Sequence, residues 1–469
     1  MRRPWGMWIA LTAVLIATAP HQAPAEEQVV TLSIDEFTAR GIEKGIQGRQ
    51  NALNFESAGY SREIVFRQTD SPTLAANASV ERAETKANGA IATTDSHTEG
   101  ITLNELMPTG TQITANGQLA GSEVRGLGSE STSKSVSANL TQPIYLFVKN
   151  SVRRTRLQAD LAFANARDGF DSTVLSLRTQ SRSFYYQVML GDELIKVEQR
   201  KLASSQKLLE ITQAMVQGGK TAPVETMRAK IRLQDDERQL QNAIVNRATS
   251  VLSAKNFLYL PLDVDVHFSS QLEFRPLNTG LERLVQYAMV HNPLLRSLRR
   301  NQQLAQLDLE TVRERTRPTL ELETGYAGTD SLGGWSRAWT LGGSANWLFF
   351  DSFVTRDNVS KARIDIIIAE LNTAEAERTT QLNINNAYLN LKNAERQIQE
   401  FSRSIEQARH NVEVVRLRFK NGLERLIDVF DAENDMRNLD NEYLGLLVNF
   451  NQQKDILSQL VGKNVENIR

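Results

Sequence analysis

The chain repeats part of itself without gaps at a spacing of 203 residues, and this repeat limits the fold more than any other feature. Residue types recur at this spacing at Phe147 and Phe350, Ala159 and Ala362, Tyr185 and Tyr388, Arg200 and Arg403, Gly219 and Gly422, and Ala229 and Ala432. Solenoid repeats have periods of about 20–50 residues, so this spacing indicates duplication of a large half-molecule. We expect a first structural repeat over residues 26–280 and a second over residues 281–469, related by pseudo-two-fold symmetry.

The first 25 residues have the pattern of a secretory signal peptide. Arg2 and Arg3 give a positive start, an apolar stretch follows from Trp5 to Ala19, and residues 23–25 (Ala-Pro-Ala) fit a cleavage site. The alternative is a short membrane anchor, although the apolar stretch is shorter than the roughly 20 residues that a spanning helix needs. Cleavage predicts a mature chain that begins near Glu26.

Composition excludes several classes of protein. The chain has no cysteine, so disulfides, thiolate metal sites and a lipoprotein acceptor are excluded. Its 54 basic and 55 acidic residues are nearly balanced, and the arginine clusters lie in helical patterns with acids nearby, so we expect no nucleic-acid partner. After the signal no apolar run approaches transmembrane length. Entry into a bilayer would therefore require a closed β-barrel.

Helical patterns dominate the chain and two of them are exceptionally long. The first runs from about residue 150 to 217 and the second from about 355 to 420; each ends at a glycine-containing break and is followed by another helix. At 1.5 Å per residue, each would be about 100 Å long, which is typical of coiled-coil-like or tube-like assemblies. Shorter helices are predicted at about residues 33–67, 221–258, 281–315 and 426–461.

Four segments alternate apolar and polar residues as β-strands do. The apolar positions are Leu74, Ala76, Ala78 and Val80; Val136, Ala138, Leu140, Ile144 and Leu146; Leu320, Leu322 and Tyr326; and Trp339, Leu341, Ala345, Trp347 and Phe349. The pattern fits membrane-barrel strands and equally a small water-soluble sheet. Because a barrel needs about eight strands, four per chain would require an oligomer. The Gly-, Ser- and Thr-rich stretch at residues 88–134 is predicted to be an extended surface loop.

Several short motifs resemble those of the TolC-like outer-membrane efflux channels, and the resemblance covers nearly the whole mature chain. A proline opens the first strand of each half, in Pro72-Thr73-Leu74 and Pro318-Thr319-Leu320, and Asn292-Pro293 lies early in the helix before the second strand pair. The most specific element is Arg418-Phe419-Lys420-Asn421-Gly422 followed by Ile427-Asp428-Val429-Phe430-Asp431-Ala432.

The resemblance implies a mainly α fold with a membrane β-barrel portion. Three copies would form a homotrimer, with four strands per chain in a 12-stranded outer-membrane barrel and long helices in an α-helical barrel across the periplasm. The chain would be the passive duct of a tripartite efflux or type I secretion system. Its partners would be a periplasmic adaptor protein, an inner-membrane transporter and outer-membrane lipid.

The same resemblance places pore-constriction residues at Asp428 and Asp431. Three residues apart, they share one helix face, and in a trimer they would form an acidic ring that attracts cations. The alternative is an ordinary solvated helix face. Further predicted site residues are the gate contacts Glu225, Glu424, Arg425 and Phe419 and the adaptor-docking turns Gly218, Gly219, Asn421 and Gly422. The chain departs from the family at two gate positions, because Glu424 replaces an arginine and Phe419 a tyrosine; Arg425 would pair with Glu225 or Asp428.

Nothing in the sequence indicates catalysis, a cofactor or a metal. The five histidines are scattered without ligand spacing, and Gly219-Lys220-Thr221 lacks the first glycine and the preceding strand of a phosphate-binding loop. Two alternatives to a channel stay open. One is a soluble periplasmic coiled-coil scaffold, and the other, a substrate-specific porin, would lack the long helices.

Overall fold

A computed structural model describes residues 30–87, 90–125, 129–331 and 334–468; the predicted signal peptide, residues 1–25, lies outside them. The chain is mainly helical with one large antiparallel sheet, as predicted. The helices are α1 (Ile34–Glu43), α2 (Ile46–Gln68), α3 (Ser151–Gln217), α4 (Pro223–Phe257), α5 (Leu281–His291), α6 (Pro293–Glu314), α7 (Val354–Lys420) and α8 (Leu426–Val461). Within the described ranges, no helix is both long and apolar enough to cross a membrane.

The two longest helices, α3 and α7, have 67 residues each and begin at equivalent positions of the repeat, Ser151 and Val354. Each is therefore about 100 Å long. Neither contains proline, whose ring would interrupt the backbone hydrogen bonds. At the start of α3 the Arg153 backbone N–H donates to the Asn150 side chain (3.1 Å), and at the start of α7 the Thr355 N–H donates to the Asp351 carboxylate (2.7 Å). These caps fix where both helices begin.

Four helices lie side by side at each level of the molecule. Towards the sheet the packing order is α2, α3, α6 and α7, whereas beyond the middle it is α4, α3, α8 and α7. The long helices α3 and α7 thus continue through both levels, and shorter helices fill the spaces beside them.

Two equivalent apolar cores hold the middle of the molecule. In the first half, Tyr185 and Val188 of α3 are buried with Leu258. In the second half, Leu391 of α7 and Val461 of α8 are buried at the positions that the repeat makes equivalent to Val188 and Leu258. Burial of these side chains stabilises each half by roughly 2 kcal/mol per large residue.

Among the described residues, the large sheet contains six strands, whereas four were predicted. Its strands are β2 (Thr73–Ala87), β3 (Ala90–Leu106), β4 (Gln112–Arg125), β5 (Ser129–Ile144), β7 (Thr319–Ser331) and β8 (Gly334–Asn346), paired antiparallel in that order. Two further strands, β1 (Val30–Leu32) and β6 (Val266–Phe268), form a separate parallel pair.

The predicted loop at residues 88–134 was wrong, because this stretch forms β3, β4 and the start of β5. Its many serines, threonines and glycines are turn-like in composition, but most of the serines and threonines, such as Thr98, Thr102 and Thr114, occupy one face of the strands. The opposite face carries residues such as Ile101, Leu103, Ile113 and Leu119. The alternation was present but was obscured by the small polar residues between.

The positions of equivalent helices show where the first half is longer than the second. Helices α1 and α5 begin at Ile34 and Leu281, whereas α3 and α7 begin at Ser151 and Val354. The offset between the halves is therefore larger before the strands than after them, and the difference matches the length of one additional hairpin, β3 and β4. The first half carries four strands of the sheet and the second half carries two.

Across the middle of the sheet one face is mainly apolar and the other is polar, whereas charged residues such as Glu99, Lys134 and Arg337 interrupt the apolar face farther from the helices. The strand pairing places Leu74, Leu103, Ala115, Ala138, Tyr326 and Trp339 in one row across all six strands. The adjacent positions on the other face are mainly Thr and Asn, with small residues such as Ser, Ala and Gly. Apolar side chains on the first face are exposed, with Leu341 at 86% and Trp339 at 77% of their full exposure. No other part of the described chain covers this apolar face.

Candidate functional site at the helix-hairpin tip

The hairpin turns opposite the sheet have the same backbone in both halves. The turn between α3 and α4, residues 215–228, is called the first tip, and that between α7 and α8, residues 418–431, the second tip. Gly219 has φ of 68° and Gly422 has φ of 76°, a left-handed conformation that glycine adopts at little cost. The Lys220 N–H donates to the Met215 carbonyl (2.8 Å), and the equivalent bond in the second tip is 2.9 Å long. Both helices thus end in a Schellman motif.

Gly218 and Asn421 are the last helical caps before these glycines. Both are exposed, as are Gly219 and Gly422. The four residues predicted to form the adaptor-docking turns therefore lie at the accessible end of the molecule.

In the second tip, Asp428 pairs with Arg425. The Arg425 guanidinium donates to both carboxylate oxygens of Asp428, at 3.0 Å each, and the Arg425 backbone N–H donates to one of them at 3.3 Å. The hydrogen bond from the arginine side chain lowers the pKa of Asp428 below its ordinary value. The carboxylate also caps the N-terminus of α8, where negative charge is favoured.

Asp431 lies one turn further along α8 and is exposed. Among the described residues it has no ion-pair partner within 4.0 Å, in contrast to Asp428. The second tip therefore presents a carboxylate paired with an arginine next to one without an ion-pair partner among the described residues.

The first tip has the opposite charge at one of these positions. Glu225 is the counterpart of Asp428, and Arg228 is the counterpart of Asp431. These two residues form an ion pair of 3.1 Å within α4. The first tip therefore has a paired arginine at the position where the second tip has the acid Asp431.

The remaining predicted gate residues have separate environments. Glu424 pairs with Arg418 at 3.0 Å, so Glu225, Glu424 and Arg425 each bind a different partner within the chain. Of the two partners expected for Arg425, the structure brings Asp428 to it and not Glu225. Phe419 is buried, with 2% of its surface exposed, and does not line an open surface.

Phe419 belongs to an apolar core that joins the two tips. The first half contributes Leu208, Met215 and Ala229, and the second half contributes Phe419, Leu426, Val429 and Phe430. This tip core fixes the acidic residues of α8 relative to α4.

A buried ionic layer above the tip core was not foreseen from the sequence. Lys201 of α3 lies 3.3 Å from the carboxylate of Asp236 in α4, and both are almost fully buried. Burial lowers the pKa of Lys201. Arg416 donates to Glu433 at 2.9 Å on the other side of α3. The only sequence signal was the four-residue spacing of Arg232 and Asp236, which is common on any helix.

Paired tube-length helices with a two-faced sheet at one end and charged turns at the other define a class of membrane channel proteins. The sequence matches the family of outer membrane efflux proteins over residues 49–258 and 284–463, and the chain belongs to this family. The resemblance that the motifs indicated is thereby confirmed. No curated protein matches the chain in sequence.

Solved channel structures share the fold. The CmeC outer membrane channel of Campylobacter jejuni matches with a TM-score of 0.69 and 15% identity over 92% of this chain and 85% of that chain. The open-state MtrE outer membrane channel of Neisseria gonorrhoeae has a TM-score of 0.69 and 16% identity over 93% and 90%. The outer membrane protein VceC of Vibrio cholerae has a TM-score of 0.68 and 11% identity over 92% and 97%. At such identities the comparison establishes the fold alone.

Proposed function

We propose that this protein is the passive trimeric export duct of a tripartite efflux or type I secretion system. The sheets of three copies would cross the outer membrane, and their helices would extend through the periplasm of a Gram-negative bacterium. An inner-membrane transporter supplies the energy, and a periplasmic adaptor protein contacts the tips. Membership of the efflux family carries this proposal.

The charge pattern of the tips supports a cation-attracting constriction. Asp428 and Asp431 lie on α8 beyond the last turn, and one of them has a free carboxylate. Three copies around an axis would place six carboxylates at the narrow end, three of them paired with Arg425. Rings of carboxylates favour cations over anions.

The exposed turns at Gly218, Gly219, Asn421 and Gly422 support docking of the adaptor at the same end. They present backbone with little side chain, so a partner can approach closely. The free Asp431 and the exposed Arg425 nearby give such a partner charges to pair with.

A soluble periplasmic scaffold is the competing function, and the exposed apolar face of the sheet argues against it. Trp339 and Leu341 would be in water in a scaffold, together with Trp335 at 54% exposure. Tryptophans at the ends of strands are typical of membrane interfaces. Membrane fractionation separates the two functions: the duct should remain with the outer membrane until detergent is added. Recovery of a soluble monomer would refute the duct.

Planar-bilayer recordings test the constriction directly. We expect Asp428→Ala combined with Asp431→Ala to lower the cation-to-anion permeability ratio several-fold and to weaken block by multivalent cations, because both carboxylates are removed. Glu225→Ala combined with Arg228→Ala is the matched control, since it removes an ion pair and leaves the net charge of the first tip unchanged. Unchanged selectivity in the aspartate double variant, or an equal loss in the control, would show that the second tip does not line the narrowest part.

A further inference from the structure

The extra hairpin of β3 and β4 changes the barrel that this chain can build. Both strands pair along nearly their full length with their neighbours, β3 with β2 and β4 with β5. The hairpin is therefore a continuous part of the sheet. It does not project from the sheet as a loop.

The inner turn of this hairpin is anchored to the helical body. Asn150, the cap of α3, donates to the Pro108 carbonyl at 2.9 Å. Thr111 in the same turn is buried and donates to the Gln142 side chain of β5. Gly110 has φ of 83°, and its position beside the Tyr145 hydroxyl leaves no room for a side chain. The turn is thus held where β5 passes into α3.

The faces of the hairpin also continue those of the rest of the sheet. Thr102 and Asn116 are paired on the polar face, and Leu103 and Ala115 are paired on the apolar face. At the outer end, the Arg82 and Arg125 side chains donate to the two oxygens of Asp95, at 2.6 and 2.8 Å, and link β2, β3 and β4.

The widths of the two layers agree better when all six strands are counted. Four helices side by side at about 10 Å span about 40 Å of circumference. Six strands about 4.8 Å apart and tilted by about 40° span about 38 Å, whereas four strands would span about 25 Å. Each chain therefore contributes an arc of strands as wide as its arc of helices.

The sheet ends in two strands without partners among the described residues, β2 and β8. In both strands, every residue whose side chain is described is exposed. Since the six strands alternate in direction, β2 of one copy and β8 of the next would be antiparallel. Long uncovered edge strands are templates for pairing with another chain.

We infer that β8 of each copy pairs with β2 of the next copy and that three copies close a barrel of 18 strands. The number of copies rests on the proposed trimeric duct, whereas the six strands per copy are those of the sheet itself. A barrel of this size is in the range that leaves an aqueous channel, about 16–18 strands in porins. The polar faces of β3 and β4 then line water, and their apolar faces contact lipid.

Single-cysteine labelling tests whether the hairpin is in the barrel wall, because the chain has no cysteine of its own. In lipid vesicles, a charged methanethiosulfonate reagent should label Thr102→Cys and Asn116→Cys about tenfold faster than Ile101→Cys and Ala115→Cys. Thr340→Cys and Leu341→Cys in β8 are the matched polar and apolar controls.

The controls separate failure of the inference from failure of the proposed function. Alternating labelling in β3, β4 and β8 supports the six-strand wall. Alternation in β8 with uniform labelling of β3 and β4 overturns it and leaves the duct intact. Uniform labelling everywhere, including β8, contradicts membrane insertion and with it the proposed function.

Oxidative cross-linking then measures the number of copies. Ala76→Cys in β2 is combined in turn with Leu341→Cys, Gly343→Cys or Ala345→Cys in β8, which samples the registers between neighbouring edges. A covalent ladder that stops at three chains supports 18 strands. A ladder that stops at two, or no ladder in any of the pairs, overturns the closure proposed here.

Discussion

The two halves of the chain share their long helices and turns but differ at both ends. Helices α3 and α7 have the same length, equivalent starts and the same glycine-based termination. The first half has four strands and a tip in which Glu225 is paired with Arg228, whereas the second has two strands and a tip with a free Asp431. Close packing between helices constrains the middle of the duplicated fold, so the differences accumulate where fewer neighbours restrict change.

Substitutions in the tip core should show the largest difference in stability between the two halves. Phe419 is buried, whereas its counterpart Val216 is only partly buried. We expect Phe419→Ala to destabilise the tip by about 3–5 kcal/mol, because it leaves a cavity, and Val216→Ala by about 1 kcal/mol or less. Thermal unfolding of detergent-purified protein, followed by circular dichroism, measures the difference. Phe419→Leu should restore most of the loss; equal losses for Phe419→Ala and Val216→Ala would show that the halves share the core evenly.

This asymmetry also shows what sequence patterns can and cannot predict. The long helices and both turns were predictable because the long repeat and the Gly218-Gly219 and Asn421-Gly422 pairs are visible in the sequence itself. The partner of Arg425 was not, since Glu225 and Asp428 were equally acceptable until the fold placed them. Strands β3 and β4 were missed because their many Ser, Thr and Gly residues resemble a loop. The buried Lys201–Asp236 pair needed the contact between α3 and α4, which no short pattern encodes.

The buried pair of Lys201 and Asp236 occurs in the first half alone. Substitutions can replace it with uncharged residues, as in the second half. The equivalent positions in the second half carry Ser404 and Leu439. We expect Lys201→Met to cost about 3 kcal/mol because the buried Asp236 loses a partner. Adding Asp236→Leu should recover most of this loss, since no carboxylate then stays buried without Lys201. The same melting assay measures both variants. A double variant less stable than the single one would mean that Asp236 is held by its other partners, Arg232 and Ser205, and does not depend on Lys201.

Alanine substitution should have the same effect at the two turn glycines, unlike the substitutions in the tip core and at the buried pair. Gly219 and Gly422 both have left-handed backbones and no neighbouring atoms near an added Cβ. Alanine at either position should therefore cost about 1–2 kcal/mol through backbone strain alone. Limited proteolysis at the tips and melting temperature report the effect. Gly445→Ala inside α8, where φ is helical, is the control and should be neutral or slightly stabilising. A cost at only one of the two turns would indicate that their environments differ beyond the shared backbone.

The smallest expected effect concerns the charge state of Asp428, and it tests whether Arg425 controls the proposed ring. The hydrogen bond from Arg425 lowers the pKa of Asp428. The carboxylate therefore stays ionised at pH values below the ordinary aspartate pKa of about 3.9. It is protonated only as the pH falls through the lowered pKa. In Arg425→Ala this pKa should rise towards the ordinary value, so the acid-induced loss of cation selectivity should begin at higher pH. At neutral pH the same variant removes a positive charge and should slightly increase cation selectivity. Reversal potentials across a series of pH values measure both effects. Arg228→Ala in the first tip is the control: if it changes the profile as much as Arg425→Ala does, both tips carry the ring and the difference between the halves has no role in selectivity.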